Sequence, residues 1–349
     1  MQACLTWLGD RVWCTAGSAA ASICAVTSPP RAVLAGASGF IGTALVRDLR
    51  DRGYAVVRIG RNGPEVRWDD PVGVRTAVDG ADLLVNLAGR SVGCRYHDRN
   101  RAEIYASRIG TTTQLAQAVH AAAAPPRLWL NASTATIYRH AMDRPQTEDG
   151  GELGSGFSVD VARDWEQAFF ADDLPGTRRV ALRMAIVLGN GGALTMLRRA
   201  ARFGLGGPQL DGWWPAHQRY RGIGPTPTAP AVHAPSTGGR QKFSWIHLDD
   251  LLRAIAFIDT HAQIEGPVNL SAPEVSDNRT LMAQLRRTVR APFGLPAPRW
   301  LLEPGMLVLR QESELVLKSR WVLPERLLAA GFAFAHPELA GALEDLAAQ

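Results

Sequence analysis

Arg31-Ala32-Val33-Leu34-Ala35-Gly36-Ala37-Ser38-Gly39-Phe40-Ile41-Gly42 is the stretch that decides the fold. Residues 32–35 form a short apolar run of the kind that becomes a buried strand, and they pass directly into Gly36-x-x-Gly39-x-x-Gly42. Ile41, Leu45 and Leu49 then recur at helical spacing until Gly53 stops the pattern. Glycine lets the chain turn sharply and approach an anion with no Cβ in the way. The following helix N-terminus offers free N–H groups and a partial positive charge. Gly36, Ser38, Gly39, Phe40, Ile41 and Gly42 are therefore candidate pyrophosphate-binding residues. A glycine string alone is a weak signal; its place at the first strand–helix junction gives it weight.

The same alternation continues outward. Strands are expected at 55–59, ending in Gly60-Arg61-Asn62, at 83–87, ending in Ala88-Gly89, and at 128–131, 179–183 and 268–270. Helix patterns cover about 101–122, 157–171 and 249–259, where Asp249-Asp250 suits a helix N-terminus. Strands alternating with helices imply right-handed crossovers, hence an α/β, Rossmann-like, doubly wound parallel sheet. Three segments stand outside that frame. Residues 1–30 read as a loose tail or over-extended start, without the basic start and clean apolar core of a signal peptide. Residues 213–239, rich in proline and glycine, read as a surface-loop or disordered insertion in a nucleotide-binding and substrate unit spanning 31–295. Leu295-Pro296-Ala297-Pro298 reads as a linker into a helical extension over 298–346.

Composition narrows the function. The chain has 349 residues and a net charge of +5, and 36 of its 38 basic residues are arginine. The arginines are scattered, which argues against a nucleic-acid partner. No run of about 18 apolar residues exists, so no membrane span is expected. Cys4, Cys14, Cys24 and Cys94 match no zinc spacing, so no metal is expected and a reducing, cytoplasmic compartment is. Only Lys242 and Lys318 are lysine.

Asn86-Leu87-Ala88-Gly89, Glu103-Ile104-x-x-Ser107-Arg108, Trp165-Glu166, Leu182-Arg183-x-x-Ile186-Val187-Leu188-Gly189, Gly204-Leu205-Gly206-Gly207-Pro208, Trp245-Ile246-His247-x-Asp249-Asp250 and Val322-Leu323-Pro324-Glu325-Arg326-Leu327 follow in order. With the glycine turn they resemble the atypical extended short-chain dehydrogenase/reductases, in the NADP-binding epimerase subfamily with a C-terminal domain of unknown function. The resemblance spans about 31–346. It implies that Leu87 and Ala88 line the adenosine side through their backbone, that Glu103 and Arg108 contact the cofactor, and that Val187 reaches the nicotinamide end. An acidic residue at the end of the second strand would favour NAD. Gly60-Arg61 stands there instead, and a guanidinium suits a 2′-phosphate, so NADP(H) is the expected cofactor.

Reductases of this superfamily set a Tyr and a Lys four apart on one helix, so that the ammonium lowers the phenol's pKa. Four residues before Lys242 and Lys318 stand Gly238 and Glu314, so the pair is absent. Counting back from Glu166, its two places fall at Ser158 and Ala162. The serine place is filled by Ser133, and Tyr138 is the candidate proton donor beside it. Arg95 and Tyr96 read either as pocket-shaping or as solvated loop residues, and His247 as a structural one. The expectation is an oxidoreductase-like or epimerase-like protein acting on a small carbonyl or hydroxyl compound. Its rival is a catalytically silent NADP(H)-binding sensor or scaffold, and the missing pair weakens a fully active nucleotide-sugar epimerase. Oligomeric state is left open.

Overall fold

The computed structural model describes residues 28–62, 65–212, 214, 222–230 and 236–349. The expected tail, with three of the four cysteines, and much of the 213–239 insertion lie outside the described residues.

The first crossover runs β1 (Arg31–Ala35), α1 (Phe40–Asp51), β2 (Ala55–Gly60). Next come β3 (Val66–Arg67), α2 (Pro71–Val78), β4 (Leu83–Asn86), α3 (Asp98–His120), β5 (Leu128–Thr134), α4 (Phe157–Phe170) and β6 (Arg178–Met184). The chain continues through β7 (Ile186–Leu188), α5 (Gly192–Ala200), β8 (Lys242–Phe243), β9 (Trp245–His247), α6 (Leu248–Thr260) and β10 (Gly266–Leu270). It closes with β11 (Ser276–Asp277), α7 (Asn278–Thr288), α8 (Arg299–Val308), α9 (Glu314–Leu317), α10 (Glu325–Ala329) and α11 (Leu339–Ala348).

Seven strands form one parallel sheet in the order β10-β6-β5-β4-β1-β2-β3. The order reverses between β1 and β4, which leaves a crevice at their carboxyl ends. Alternate residues of each strand serve opposite faces, as strand geometry requires. Ala32 and Leu34 of β1 join Leu45 and Leu49 of α1 and Ile255 and Ile258 of α6. Val33 and Ala35 join Val74 of α2, Leu115 of α3 and Phe169 of α4. This is the doubly wound sheet expected. A smaller lobe is built from two two-stranded sheets, β7 with β9 and β8 with β11.

Two of the segments that stand outside the alternating frame make specific contacts with the main unit. Segment 222–230 is seated on α4: Thr228 donates its N–H (3.0 Å) and hydroxyl (2.6 Å) to the buried Asp160 carboxylate. The Gly156 N–H in turn donates to the Thr228 hydroxyl at 2.8 Å. The C-terminal extension is also integral. Leu327 and Phe332 complete the apolar layer over Leu34, Val85 and Leu182, while Leu339, Leu343 and Leu346 of α11 pack with α7 and Trp245. Asp250 accepts the backbone N–H groups of Ala335 and His336, which ties the start of α6 to that segment.

Candidate functional site

Gly36 leaves β1 with φ +84°, and a Cβ there would come within 2.6 Å of the Leu87 carbonyl. The missing side chain lets the glycine turn lie directly on the Leu87–Ala88 backbone at the switch point. A Cβ on Gly42 would meet the Gly36 oxygen at 2.3 Å, so this glycine is required by the turn itself. Gly39 differs. A Cβ there would meet only the Gly36 oxygen, at 3.5 Å, an ordinary contact. Gly39 also begins α1 with no side chain capping the helix, which leaves N–H groups for an anion. Ser38 is exposed beside it, Ile41 packs on the core, and the Phe40 ring lies against Gly189 and Gly191. Arg61 is exposed at the end of β2 and makes no ion pair with another described residue.

From the switch point a cavity of about 340 Å³ runs inward. Leu87, Ala88 and Gly89 line it together with Ser133, Thr136, Ser158 and Ala162; Leu315 and Arg320 come from the C-terminal extension. Asn86 fixes the entrance. Its amide donates to Asn131 (2.8 Å) and Thr112 (3.1 Å), and its oxygen accepts the Ala88 N–H at 3.0 Å. Arg108 lines the same end, packed against Gly89, with its guanidinium carbon 5.2 Å from the Trp165 ring centre. Burial draws its pKa down to about 10. Glu103 points elsewhere, paired with Arg99 at 2.9 Å and with Arg90. Val187 pairs with Ile246 across β7 and β9 and packs on the core, outside the cavity lining.

Ser133 is buried, and its hydroxyl donates to Glu166 at 2.5 Å. Arg183 grips the same carboxylate through Nε (2.8 Å) and Nη2 (2.7 Å), and its Nη1 donates to the Tyr138 hydroxyl at 2.8 Å. Tyr138 donates onward to Asn269 at 3.0 Å. The Ser133 proton is thus committed to a carboxylate, and the hydroxyl faces the cavity as an acceptor. Tyr138 is fully buried and stands outside the cavity lining, so the structure brings Ser133 to the cavity and holds Tyr138 behind it. Burial raises the Tyr138 pKa.

Ser158 and Ala162 do line the cavity, at the two places where the Tyr/Lys pair was sought. Of the two readings of Tyr96, the pocket-shaping one matches its place: it lines the cavity, its ring edge-on to Phe157 at 4.7 Å. Burial, then the Glu314 carboxylate, raise its pKa, so its phenol stays protonated. His247, His336 and Asp345 bring ligand atoms within 4.8 Å of one another. Nδ1 of His247 accepts the Asp249 N–H at 3.2 Å, so the ring proton sits on Nε2, facing Asp345 at 3.4 Å.

Residues 32–156 match the NAD dependent epimerase/dehydratase family, and residues 297–346 match a domain of unknown function (DUF1731). Bovine (Bos taurus) epimerase family protein SDR39U1 is 32% identical over 330 residues, covering 91% of this chain and all of the relative. Epimerase family protein YfhF of Bacillus subtilis is 28% identical, covering 90% of this chain and 97% of the relative. The crystal structure of human epimerase family protein SDR39U1 with NADPH superposes with a TM-score of 0.76 at 28% identity, over 91% of this chain and 99% of that one. With a glycine turn seated at the switch point of a doubly wound sheet, and relatives matched over nearly their whole length, the chain belongs to the epimerase family.

Proposed function

We propose that this chain binds NADP(H) and exchanges hydride, slowly, with a small carbonyl or hydroxyl compound held in the cavity beside Ser133. The observation that carries the reading is continuity: the glycine turn rests on Leu87–Ala88, and the same backbone lines the cavity that ends at Ser133 and Ser158. That a human relative is crystallised with NADPH supports the choice of nucleotide. The Gly36–Gly42 backbone would hold the pyrophosphate, Arg61 the 2′-phosphate, and Leu87, Ala88 and Arg108 the inner side, with Val187 near the far end and Glu103 acting through Arg90. NADP(H), when bound, supplies or takes up the hydride.

Ser133 offers lone pairs that orient a substrate hydroxyl, because Glu166 and Arg183 hold its proton. The Tyr96 phenol is the proton-bearing side chain of the cavity wall. With no lysine in the lining to lower its pKa, proton transfer lacks its usual driving force, hence the slow rate. The test is single-turnover oxidation of bound NADPH across a panel of hydroxyl-bearing carbonyl compounds in wild type, Ser133→Ala and Tyr96→Phe. Slow oxidation that both variants weaken supports the reading, and a wild type that binds no NADPH overturns it.

One observation favours a second reading, a catalytically silent NADP(H)-binding sensor or scaffold: Ser158 and Ala162 stand where the proton-handling pair would be. NADPH binding without oxidation by any carbonyl tested selects it.

A further inference from the structure

The cavity wall supplied by the C-terminal extension carries more positive than negative charge. Arg320 is only 7% exposed and lines the cavity. Its Nε donates to the Thr136 hydroxyl at 3.1 Å, and its Nη1 to the Leu315 and Lys318 carbonyls at 3.1 and 3.4 Å. All three acceptors are neutral. Among the described residues Nη2 meets no acceptor, and no carboxylate oxygen comes within ion-pair distance of the guanidinium. Lys318, also buried, donates to the Thr136 carbonyl at 2.7 Å, again a neutral partner. Glu314 is the carboxylate that acts on both cations, and it accepts the Ser158 hydroxyl at 3.3 Å. Two buried cations therefore face one carboxylate, beyond ion-pair reach of both. A buried charge without a partner is costly, which makes such a wall a strong attractor for an anion.

Two other guanidiniums line the cavity, and Arg90 is already paired with Glu103 and donates to Asn100. Arg108 sits against Gly89 and over Trp165, at the switch-point end. Arg320 sits beside Thr136. Arg108 and Arg320 rest on different segments of the cavity wall.

We propose that Arg320 recognises a terminal oxyanion of the substrate, a carboxylate or a phosphoryl group, through its free Nη2. The substrate is then a small carbonyl or hydroxyl acid whose charged end docks on the C-terminal extension while its reacting carbon faces Ser133. This rests on reading the cavity as a joint cofactor and substrate site.

Calorimetric titration of the NADPH-saturated full chain tests it, using oxamate, inorganic phosphate and the neutral oxamide as probes. An anion should bind at least tenfold more tightly than oxamide without weakening NADPH. Arg320→Met should lose at least tenfold in anion affinity with NADPH affinity unchanged, and Arg320→Lys should keep part of it. A preference for oxamate assigns a carboxylate, and a preference for phosphate a phosphoryl group. Equal binding of oxamide and the anions, or undiminished anion binding by Arg320→Met, overturns the proposal. Competition between anion and NADPH also overturns it, since the anion would then occupy the nucleotide's own site. If Arg320→Met does not fold, Arg320→Lys and the wild-type competition decide. A wild type that fails to bind NADPH defeats the cofactor reading instead, and the same titrations on the free protein still judge Arg320.

Discussion

Gly39→Ala should separate nucleotide binding from folding, because the last two glycines of the turn lack side chains for different reasons. Gly39 has φ −75° and ψ 169°, a conformation open to any residue, and an added Cβ meets only the Gly36 oxygen at 3.5 Å. Alanine is a poorer helix N-cap than glycine by about 0.5–1 kcal/mol. Its lower freedom in the unfolded chain returns about 0.4–1 kcal/mol. The two nearly cancel, so the melting temperature should stay within about 2–4 °C of wild type. The methyl group nevertheless occupies the outer side of the turn, where an anion must approach the uncapped helix. NADPH should bind at least about tenfold more weakly, a loss of roughly 1.4 kcal/mol. Gly42→Ala is the contrast. Its Cβ would meet the Gly36 oxygen at 2.3 Å and the Ala37 Cα at 2.9 Å, both backbone atoms that cannot swing aside. Overpacking of that kind costs about 1–3 kcal/mol, so this variant should lose stability first. Thermal melts and fluorescence titration with NADPH read both quantities. A Gly39→Ala protein that binds NADPH like wild type would refute the reasoning, since the ligand would then not approach the turn.

Arg61→Ala should weaken NADPH by about ten- to a hundredfold, the worth of a charge-assisted contact, while leaving NADH nearly unchanged; parallel titrations with both nucleotides check this. Tyr138→Phe should lower stability by about 1–3 kcal/mol, because it strips a partner from buried Arg183 and Asn269, without altering NADPH affinity or single-turnover rate. Arg183→Met leaves the Glu166 carboxylate buried with only Ser133 and should cost about 3–5 kcal/mol in a denaturant melt. Burial, the largest influence on Lys318, draws its pKa from 10.5 to about 8. The unfolded chain therefore binds more protons between those values, and Lys318 lowers stability as pH falls through that window. Between pH 8 and 10 wild type should gain up to about 1.4 kcal/mol per pH unit relative to Lys318→Met, measured by melts of the two proteins side by side.

The sheet and its switch point were legible because their signals are local. Residues 32–42 and the run ending at Asn86 each hold a strand and its turn within a dozen positions, and the pattern period decides the element. The helix over Asp98–His120 was legible in place though not in starting residue, since His97 caps it from a loop with no apolar period. The far wall of the site could not be read this way. Arg320 meets Thr136 from 184 positions away, and nothing near either residue encodes that meeting. Segment 222–230 hid its seat for the same reason: Thr228 and Asp160 are 68 positions apart, and proline and glycine composition speaks only of the local backbone. Ser133 was found by its place near the end of β5, but the direction of its proton depends on Arg183 fixing Glu166, a fact of three segments together. Tyr138 was attractive by its spacing from Ser133. The turn at 135–137 carries it behind the strand instead, onto Arg183.

Leu327 and Phe332 share one apolar layer with Leu34 and Val85, although the last strand of the main sheet ends at Leu270. A ribosome adds about 5–20 residues per second, so these two side chains emerge roughly 3–12 s after that strand. During those seconds the nascent sheet is complete in hydrogen bonding, yet the layer that α1 and α6 build on one face lacks its last cover, a natural target for chaperones. A transcript that stops before Leu327 would release a protein bare there permanently, and quality-control proteases should clear it even though every nucleotide-facing residue is present.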